Sequence, residues 1–242
     1  MSKEHRAMNP SKPQSIDKNT LIRNMIISAA LLAGFGGLGT TLVVGTFELT
    51  KDQIEASEEA NLLKNLNNIL PASIYNNDLL STHIKVPADS LLGSDKPVNV
   101  YQAWMDKTPV AVAFPVIAPD GYNGDIHLLI AIKASGEISG VRVIAHKETP
   151  GLGDKIDINK NDWILSFNGK SIANPAQKLW RVKKDGGVFD QFTGATITPR
   201  AVVKAVYRAL DYYNANRRRL FLDQENLNKY YHAAMRGKDS KE

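Results

Sequence analysis

The residues best suited to chemistry lie in one short segment, Asp190-Gln-Phe-Thr-Gly-Ala-Thr196-Ile-Thr198, directly before a run of helical periodicity. Free backbone N–H groups and the positive end of the helix dipole make a helix N-terminus attractive for phosphate. Gly194 has no side chain, so a ligand can approach the backbone closely there. This pattern indicates a candidate phosphate site. An ordinary capped helix start is the alternative that the residues alone leave open.

The helix after this segment has clear start and packing signals. Thr198 is the predicted N-cap residue, and Pro199 is the predicted first helical residue, a position where proline is favoured. Apolar residues then recur at helical spacing and predict a buried face, formed by Val202, Val203, Val206, Leu210 and Tyr213. We therefore expect the candidate phosphate site at the N-terminal end of a helix that packs on the core.

A second polar segment, His146-Lys-Glu-Thr-Pro-Gly-Leu-Gly-Asp-Lys155, combines titratable side chains with a proline and two glycines. A single histidine is more often structural than catalytic, and a Pro-Gly pair usually forms a turn. The remaining histidines are scattered, with no His-x-x-x-His spacing. We therefore predict no metal site and no side chains for acid–base catalysis.

The chain of 242 residues contains no cysteine, which excludes disulfides, thiolate metal sites and cysteine-held iron–sulfur clusters. Any redox chemistry must then use an organic cofactor or a metal held by nitrogen and oxygen ligands. Hydrophobic residues make up 43% of the chain and charged residues 23%, a composition typical of globular rather than disordered proteins.

Four runs with strand character precede the second polar segment. The last two are joined by Ser135-Gly136-Glu137, a hairpin signal with glycine in the turn. The predicted strands are Val98–Trp104, Val110–Ile117, His127–Ala134 and Ile138–Ala145. Together with the helices, they predict an α+β fold in which an antiparallel sheet is flanked by helices.

A run without charged residues, Met25–Phe47, is long enough to cross a bilayer, which takes about 20 apolar residues in a helix. A cleavable signal peptide is the alternative, but its apolar core is typically only about 7–15 residues long. Basic residues precede the run and mostly acidic residues follow it, so we expect a cytoplasmic N-terminus and an exported C-terminal part. We interpret the formal net charge of +5 partly as this topology signal and predict no binding of nucleic acid.

The motif Asp190-x-x-Thr193-Gly-Ala-Thr196 resembles the flavinylation motif of FMN-binding domains in Rnf and sodium-pumping NADH:quinone oxidoreductase complexes. In that family an exported flavin transferase takes FMN from FAD and esterifies its phosphate to the threonine that ends the motif. The resemblance implies covalent FMN on Thr196, with Asp190 among the motif positions that the transferase reads. Residues 146–154 are similar to the flavin-side loop of the same domain.

The resemblance implies a cofactor site assembled from both polar segments. The first segment would contribute Thr193, Gly194, Ala195, Thr196 and Thr198. The second would contribute His146, Glu148, Thr149, Pro150, Gly151, Leu152, Gly153 and Lys155.

Including its predicted anchor, the chain is most similar to the G subunits of Rnf complexes, with the C subunits of the sodium-pumping enzymes as the alternative. The resemblance implies a redox subunit of a bacterial inner-membrane complex, without stand-alone turnover. The complex would move electrons between ferredoxin and NAD and couple this to Na⁺ or H⁺ translocation. A membrane-anchored ligand-binding module and an assembly subunit are the non-redox alternatives.

These inferences divide the chain into five segments. We expect a cytoplasmic segment at residues 1–24, a transmembrane helix at 25–47 and a helical stalk or flank at 48–95, in which residues 51–70 form a helix. The FMN-binding domain is expected at residues 96–232 and a polar tail at 233–242.

Overall fold

The computed structural model describes residues 18–239, so most of the predicted N-terminal segment lies outside the described residues. The chain divides into two compact units, with the boundary after Ser57. The first unit contains most of helix α1 (Lys18–Ile69). The second contains a five-stranded sheet and two further helices, α2 (Ile197–Asn216) and α3 (Gln224–Asp239).

Helix α1 includes the whole uncharged run and is long and apolar enough to cross a membrane. Its most apolar window has a mean hydropathy of 1.8 and is 0% buried inside the chain. The sequence predicted a transmembrane helix at residues 25–47 and a helix at 51–70. In the structure both belong to α1, because no glycine or proline interrupts residues 46–69. The Thr46 and Thr50 hydroxyls donate to carbonyls four residues earlier, each at 2.8 Å, and so stay within the helix.

The sheet is antiparallel throughout, with the strand order β1-β2-β3-β4-β5. Its strands are β1 (His83–Val86), β2 (Val98–Met105), β3 (Thr108–Ala118), β4 (Ile126–Lys133) and β5 (Ile138–Ala145). The α+β fold is therefore confirmed, and the four predicted strands correspond to β2 to β5. Strand β1 was not predicted, because four alternating residues do not stand out from the mixed segment around them.

Both faces of the sheet are covered. One face packs against α2 and the connection after β5, and the other packs against the end of α1, where Leu66 and Ile69 are buried. Gly140 permits this close approach, because a Cβ there would lie 2.9 Å from the Cβ of Ile69. Ser139 donates its hydroxyl to the Ile69 carbonyl at 2.7 Å, which satisfies an acceptor at the helix terminus. The end of α1 thus belongs to this core, and the predicted domain start at residue 96 lies inside the second unit.

The helices after the sheet differ in how well the pattern predicted them. All five residues of the predicted apolar face of α2 are buried, which confirms that face. Helix α3 was not predicted, because its sequence is mostly polar, and it extends into the segment that we expected to be a tail. Its Leu227 is buried, and the Gln224 side chain accepts the Lys85 N–H of β1 at 2.6 Å.

The connection from β5 to α2 is held by an aromatic cluster. Phe167 and Phe189 have ring centroids 4.7 Å apart, and the Trp163 indole donates to the Asp190 carbonyl at 2.8 Å. This cluster anchors the backbone where the first polar segment starts. The connection also contains short 3-10 helices at Gly153–Ile156, Asp162–Phe167, Gln177–Leu179 and Lys183–Asp185.

Candidate functional site

The two polar segments line one cavity of about 660 Å³. This volume lies within the range of small-molecule sites, about 300–1,000 Å³. The segments touch directly, since the Thr198 hydroxyl of the first donates to the Glu148 carboxylate of the second. The predicted site residues that line the cavity are Glu148, Thr149, Leu152, Gly153, Gly194, Ala195, Thr196 and Thr198.

A tight turn leads into α2 at the wall of this cavity. The Ala195 N–H donates to the Phe192 carbonyl at 3.1 Å, and Gly194 between them has a φ of +81°. A positive φ at the third residue is what a type II turn requires, and glycine adopts it without steric cost. Gly194 therefore has a conformational role as well as leaving the backbone open to a ligand.

The predicted N-cap at Thr198 is wrong. Helix α2 begins at Ile197, and Thr196 is its N-cap residue, with helical backbone angles (φ −81°, ψ −27°) and no side-chain cap. Pro199 is the third helical residue, where its missing N–H costs nothing because the first turn has no intrahelical acceptors. Among residues 18–239, the partly exposed Thr196 hydroxyl forms no hydrogen bond, which leaves a potential nucleophile free at the cavity wall.

Thr198 instead joins the two polar segments. Its buried hydroxyl donates to Oε2 of the buried Glu148, whose Oε1 accepts the Asn123 N–H at 3.1 Å. Gly153 packs against this pair, because a Cβ there would lie 2.8 Å from Glu148 Oε2 and 2.9 Å from Thr198 Oγ1. A buried carboxylate needs such partners. This contact therefore holds the loop that follows β5 against the first turn of α2.

Some predicted residues of the second segment lie away from the cavity. His146 accepts the Glu148 N–H at its Nδ1, 3.1 Å away, and lines a separate cavity of about 270 Å³. Pro150 and Gly151 are exposed, and Lys155 is partly buried outside the cavity lining. The structure gives these four residues no place in the cavity wall.

Two predicted residues of the first segment also lie outside the cavity lining. Thr193 is exposed at the second position of the turn. Asp190 is exposed and forms an ion pair with Lys183, with 2.5 Å between Oδ1 and Nζ. Both side chains are accessible from solvent, which is what recognition by another protein requires.

Four lining residues were missed by the sequence analysis: Tyr122, Lys184, Ile197 and Arg200. Arg200 follows Thr196 by four residues and so lies on the same helix face, a spacing that could have identified it. Tyr122 and Lys184 come from the loop between β3 and β4 and from a 3-10 helix before the motif. No local pattern connects them to the motif.

The cavity lining is complementary to a ligand that has an anionic end and an apolar body. Lys184 and Arg200 supply positive charge near the start of α2, where free N–H groups add to it. Tyr122, Leu152 and Ile197 are 65%, 42% and 46% exposed, which leaves apolar surface open at the cavity. A flavin mononucleotide, with its phosphate and its aromatic ring system, fits this donor set.

A bidentate ion pair fixes Arg200. Its Nε and Nη2 donate to the two carboxylate oxygens of Asp185, each at 2.6 Å. The hydrogen bond from Arg200 holds the pKa of the Asp185 carboxyl below its ordinary value, and the charges of Arg200, Lys184 and Arg181 act in the same direction. The same hydrogen bond raises the pKa of Arg200.

We expect the Asp185 carboxyl to titrate below the range of an ordinary aspartate in the wild type, and closer to it in Arg200→Gln. Because the folded-state pKa is lowered, the pair's contribution to stability is present above the unfolded pKa. It is lost as the pH falls through the folded pKa. Carbon-detected NMR of the side-chain carboxyl measures the shift directly. An unchanged Asp185 titration in Arg200→Gln would contradict the assigned cause.

Comparison with known proteins adds independent evidence. Residues 121–211, which include the whole cavity lining, match the FMN-binding domain family. Residues 8–69 match the RnfG N-terminal region. Both matches agree with the order of elements along the chain.

Several curated proteins are similar over most of their length, and each is named as the G subunit of an ion-translocating oxidoreductase complex. The protein from Shewanella loihica is 48% identical over 198 residues, covering 82% of this chain and 93% of the relative. The protein from Vibrio cholerae is 48% identical over 190 residues, covering 78% and 90%. The protein from Pseudomonas aeruginosa is 45% identical over 203 residues, covering 84% and 95%. The chain belongs to the family of G subunits of ion-translocating oxidoreductase complexes and contains that family's FMN-binding domain.

Proposed function

We propose that this chain is the FMN-carrying electron-transfer subunit of a membrane-bound ion-translocating oxidoreductase, with the flavin phosphate esterified to Thr196. The observation that carries the proposal is the Thr196 hydroxyl, which lines the cavity without a hydrogen bond to any residue of the described part. It lies at a helix N-terminus with Lys184 and Arg200 in the same cavity lining. The match of residues 8–69 to the RnfG N-terminal region, with relatives named as G subunits, favours an Rnf-type complex over the C-subunit alternative.

Different residues of the cavity lining would bind the phosphate and the ring system of the cofactor. FMN supplies one- or two-electron transfer, and the protein supplies binding, orientation and electrostatics. Lys184, Arg200 and the free N–H groups of the first turn would balance the phosphate charge. The exposed apolar surface of Tyr122, Leu152 and Ile197 would cover part of the flavin ring system, the apolar portion of the ligand.

Attachment requires a separate flavin transferase that uses FAD. The Thr196 hydroxyl would form the Oγ–P bond to the FMN phosphorus as the pyrophosphate bond of FAD breaks, and its proton would pass to the AMP that leaves. The transferase would contact the exposed Asp190 and Thr193. A covalent ester makes physical sense outside the cytoplasm, where a dissociated cofactor would be lost.

The redox partners would be other subunits of the complex. By family resemblance, electrons pass between ferredoxin and NAD, and the energy drives Na⁺ or H⁺ translocation. Within the described residues, no group of three or more histidine, aspartate and glutamate side chains is arranged to hold a metal ion.

A single test separates this function from the non-redox alternatives. The full-length chain, produced in cells that contain the flavin transferase, is expected to be yellow when purified. It should also remain fluorescent after denaturing electrophoresis. A colourless protein would support a non-redox ligand-binding module instead. A complex that keeps its activity when Thr196 is replaced by valine would support an assembly role.

We also propose that residues after Phe47 are exported and that the N-terminus stays in the cytoplasm. The basic flank before the apolar run and the mostly acidic flank after it support this orientation. A phosphatase fused after residue 60 is expected to be active in cells, and one fused after residue 20 to be inactive, because the enzyme folds only outside the cytoplasm. The reverse result would show that the topology is inverted, and an exported transferase could then not reach Thr196.

A further inference from the structure

A second cavity of about 530 Å³ lies beside the candidate flavin site and has no role in the function proposed above. It runs between α2 and the connection at residues 177–185, and we call it the basic groove. Its buried floor includes Val182, Val203 and Trp180. The ring centroid of Trp180 lies 5.5 Å from that of Tyr207, which also lines the groove. Arg200 lines both cavities, so the groove and the candidate flavin site share a wall.

The charges around this groove are unbalanced. Arg181, Arg200, Lys204 and Arg208 line it, with Asp185 as the one carboxylate among its described lining residues. Asp185 and Arg200 balance each other through two hydrogen bonds, and Lys204 pairs with Asp120 beside the groove, so Arg181 and Arg208 are the remaining cations of the lining. The groove thus presents an excess of cations above an aromatic and aliphatic floor, which favours an anionic ligand that also has apolar groups.

Arg208 provides a second, independent indication of an anionic ligand. Its Nη2 donates to the Ile117 carbonyl at 3.2 Å, but its buried Nε has no hydrogen-bond partner in the described part of the chain. A buried donor without an acceptor destabilises the folded chain, because it has lost its hydrogen bonds to water. Because this Nε is itself buried, a carboxylate that docks in the groove would satisfy it once the Arg208 side chain turns outward.

The spacing of the cations indicates the form of the ligand. Arg200, Lys204 and Arg208 are four residues apart on one face of α2, which places successive residues about 6 Å apart along the helix axis. Alternate side chains on one face of an extended peptide are about 6.6 Å apart. An extended segment with acidic residues at every second position therefore matches the row of cations.

We infer that the basic groove is the docking site for an acidic, extended segment of another subunit of the complex. Docking there places that subunit next to the wall that the groove shares with the candidate flavin site. The Lys204–Asp120 ion pair, 2.5 Å long, does not block docking, since its side chains are 61% and 52% exposed. Exposed pairs of this kind contribute little to stability, so replacing Asp120 by a carboxylate of the docked segment would cost little.

The first test reverses charge in the groove at two residues that do not line the candidate flavin site. The full-length chain with Arg181→Glu and Lys204→Glu is expressed in cells that contain the complex and the transferase. We expect at least ten-fold less of this variant to co-purify with the other subunits, while its covalent flavin fluorescence stays at the wild-type level. The matched control is Lys107→Glu with Lys160→Glu, which changes the net charge equally at exposed positions outside the groove. Unchanged co-purification of the groove variant, or an equal loss in the control, would overturn the inference.

The second test identifies the occupant. A carbodiimide joins an amine to a carboxylate in direct contact, and Asp120→Asn removes the internal competitor for Lys204. In the intact complex of this variant, we expect a cross-link from Lys204 to an aspartate or glutamate of another subunit, within a segment that has acidic residues at alternate positions. A cross-link to a second copy of this chain, or no product between subunits, would refute the docking site. Because flavin fluorescence is measured separately, failure of this inference is distinguishable from failure of the proposed cofactor.

Discussion

Thr196→Val is expected to abolish covalent flavin completely while the domain still folds. Valine keeps the β-branched shape of threonine and removes only the hydroxyl that would form the phosphoester. Among the described residues that hydroxyl has no hydrogen-bond partner, so its loss should change the free energy of unfolding by no more than about 0.5 kcal/mol. Fluorescence after denaturing electrophoresis measures the covalent flavin, and thermal unfolding measures the fold.

Two further variants provide the controls for this experiment. Thr193→Val removes an exposed hydroxyl outside the cavity lining and should retain at least part of the covalent flavin. Thr196→Ser keeps a hydroxyl at the proposed acceptor position and should restore part of the signal. A peptide map of the wild type should show the Gly194–Thr196 fragment heavier by one FMN less one water. Fluorescence that survives in Thr196→Val would place the ester elsewhere, and a wild type that is never fluorescent would exclude covalent FMN.

The second large effect is expected from Thr198→Val, for a reason that the sequence did not reveal. The local pattern predicted that Thr198 caps α2, and the loss of such a cap costs about 1 kcal/mol of stability. The structure shows a buried hydroxyl that donates to the Glu148 carboxylate. Its removal leaves a buried carboxylate oxygen without that donor, at a cost of about 1–3 kcal/mol or more. We therefore expect a decrease in melting temperature of about 2–4 °C per kcal/mol for a unit of this size.

The Thr198 effect should extend to flavin attachment, because the contact with Glu148 joins the two walls of the cavity. We expect Thr198→Val to carry less covalent flavin than the wild type, all of it still on Thr196. Thr198→Ser keeps the donor and should recover both stability and flavin content. A Thr198→Val protein as stable as the wild type would show that the buried contact contributes nothing. Loss of all flavin in Thr198→Val, with full recovery in Thr198→Ser and unchanged stability in both, would instead point to Thr198 as the acceptor.

The sheet and α2 were predictable because each strand or helix carries its own period. Strands β2 to β5 show alternating or continuous apolar runs bounded by turns, and α2 shows an apolar stripe at helical spacing. Elements without such a period were missed. Strand β1 has four residues, and the mostly polar α3 is held to the domain by Leu227 and by contacts to Lys85.

The candidate site was predictable only where its residues are close together in the sequence. The turn at Gly194 and the polar loop after β5 are local motifs, and eight of their predicted residues do line one cavity. The sequence assigned Thr198 to the helix cap, and this was wrong because its actual partner is Glu148, 50 residues away in the sequence. Tyr122 and Lys184 reach the cavity from other parts of the chain, and nothing near the motif indicates them.

The sequence by itself determined the properties that depend on neighbouring residues: the apolar run of α1, the period of each long strand and helix, and the Thr-Gly-Ala-Thr turn that ends at a helix start. Tertiary structure decided which side chains line the same cavity and which of them already form hydrogen bonds within the chain. It buried the Thr198 hydroxyl against a carboxylate, left the Thr196 hydroxyl free among the described residues, and brought Arg200 and Lys184 to the same wall. The physical reason is that a hydroxyl becomes available only when no donor or acceptor from elsewhere in the chain satisfies it. Whether a hydroxyl is satisfied in this way depends on contacts between residues that are distant in the sequence.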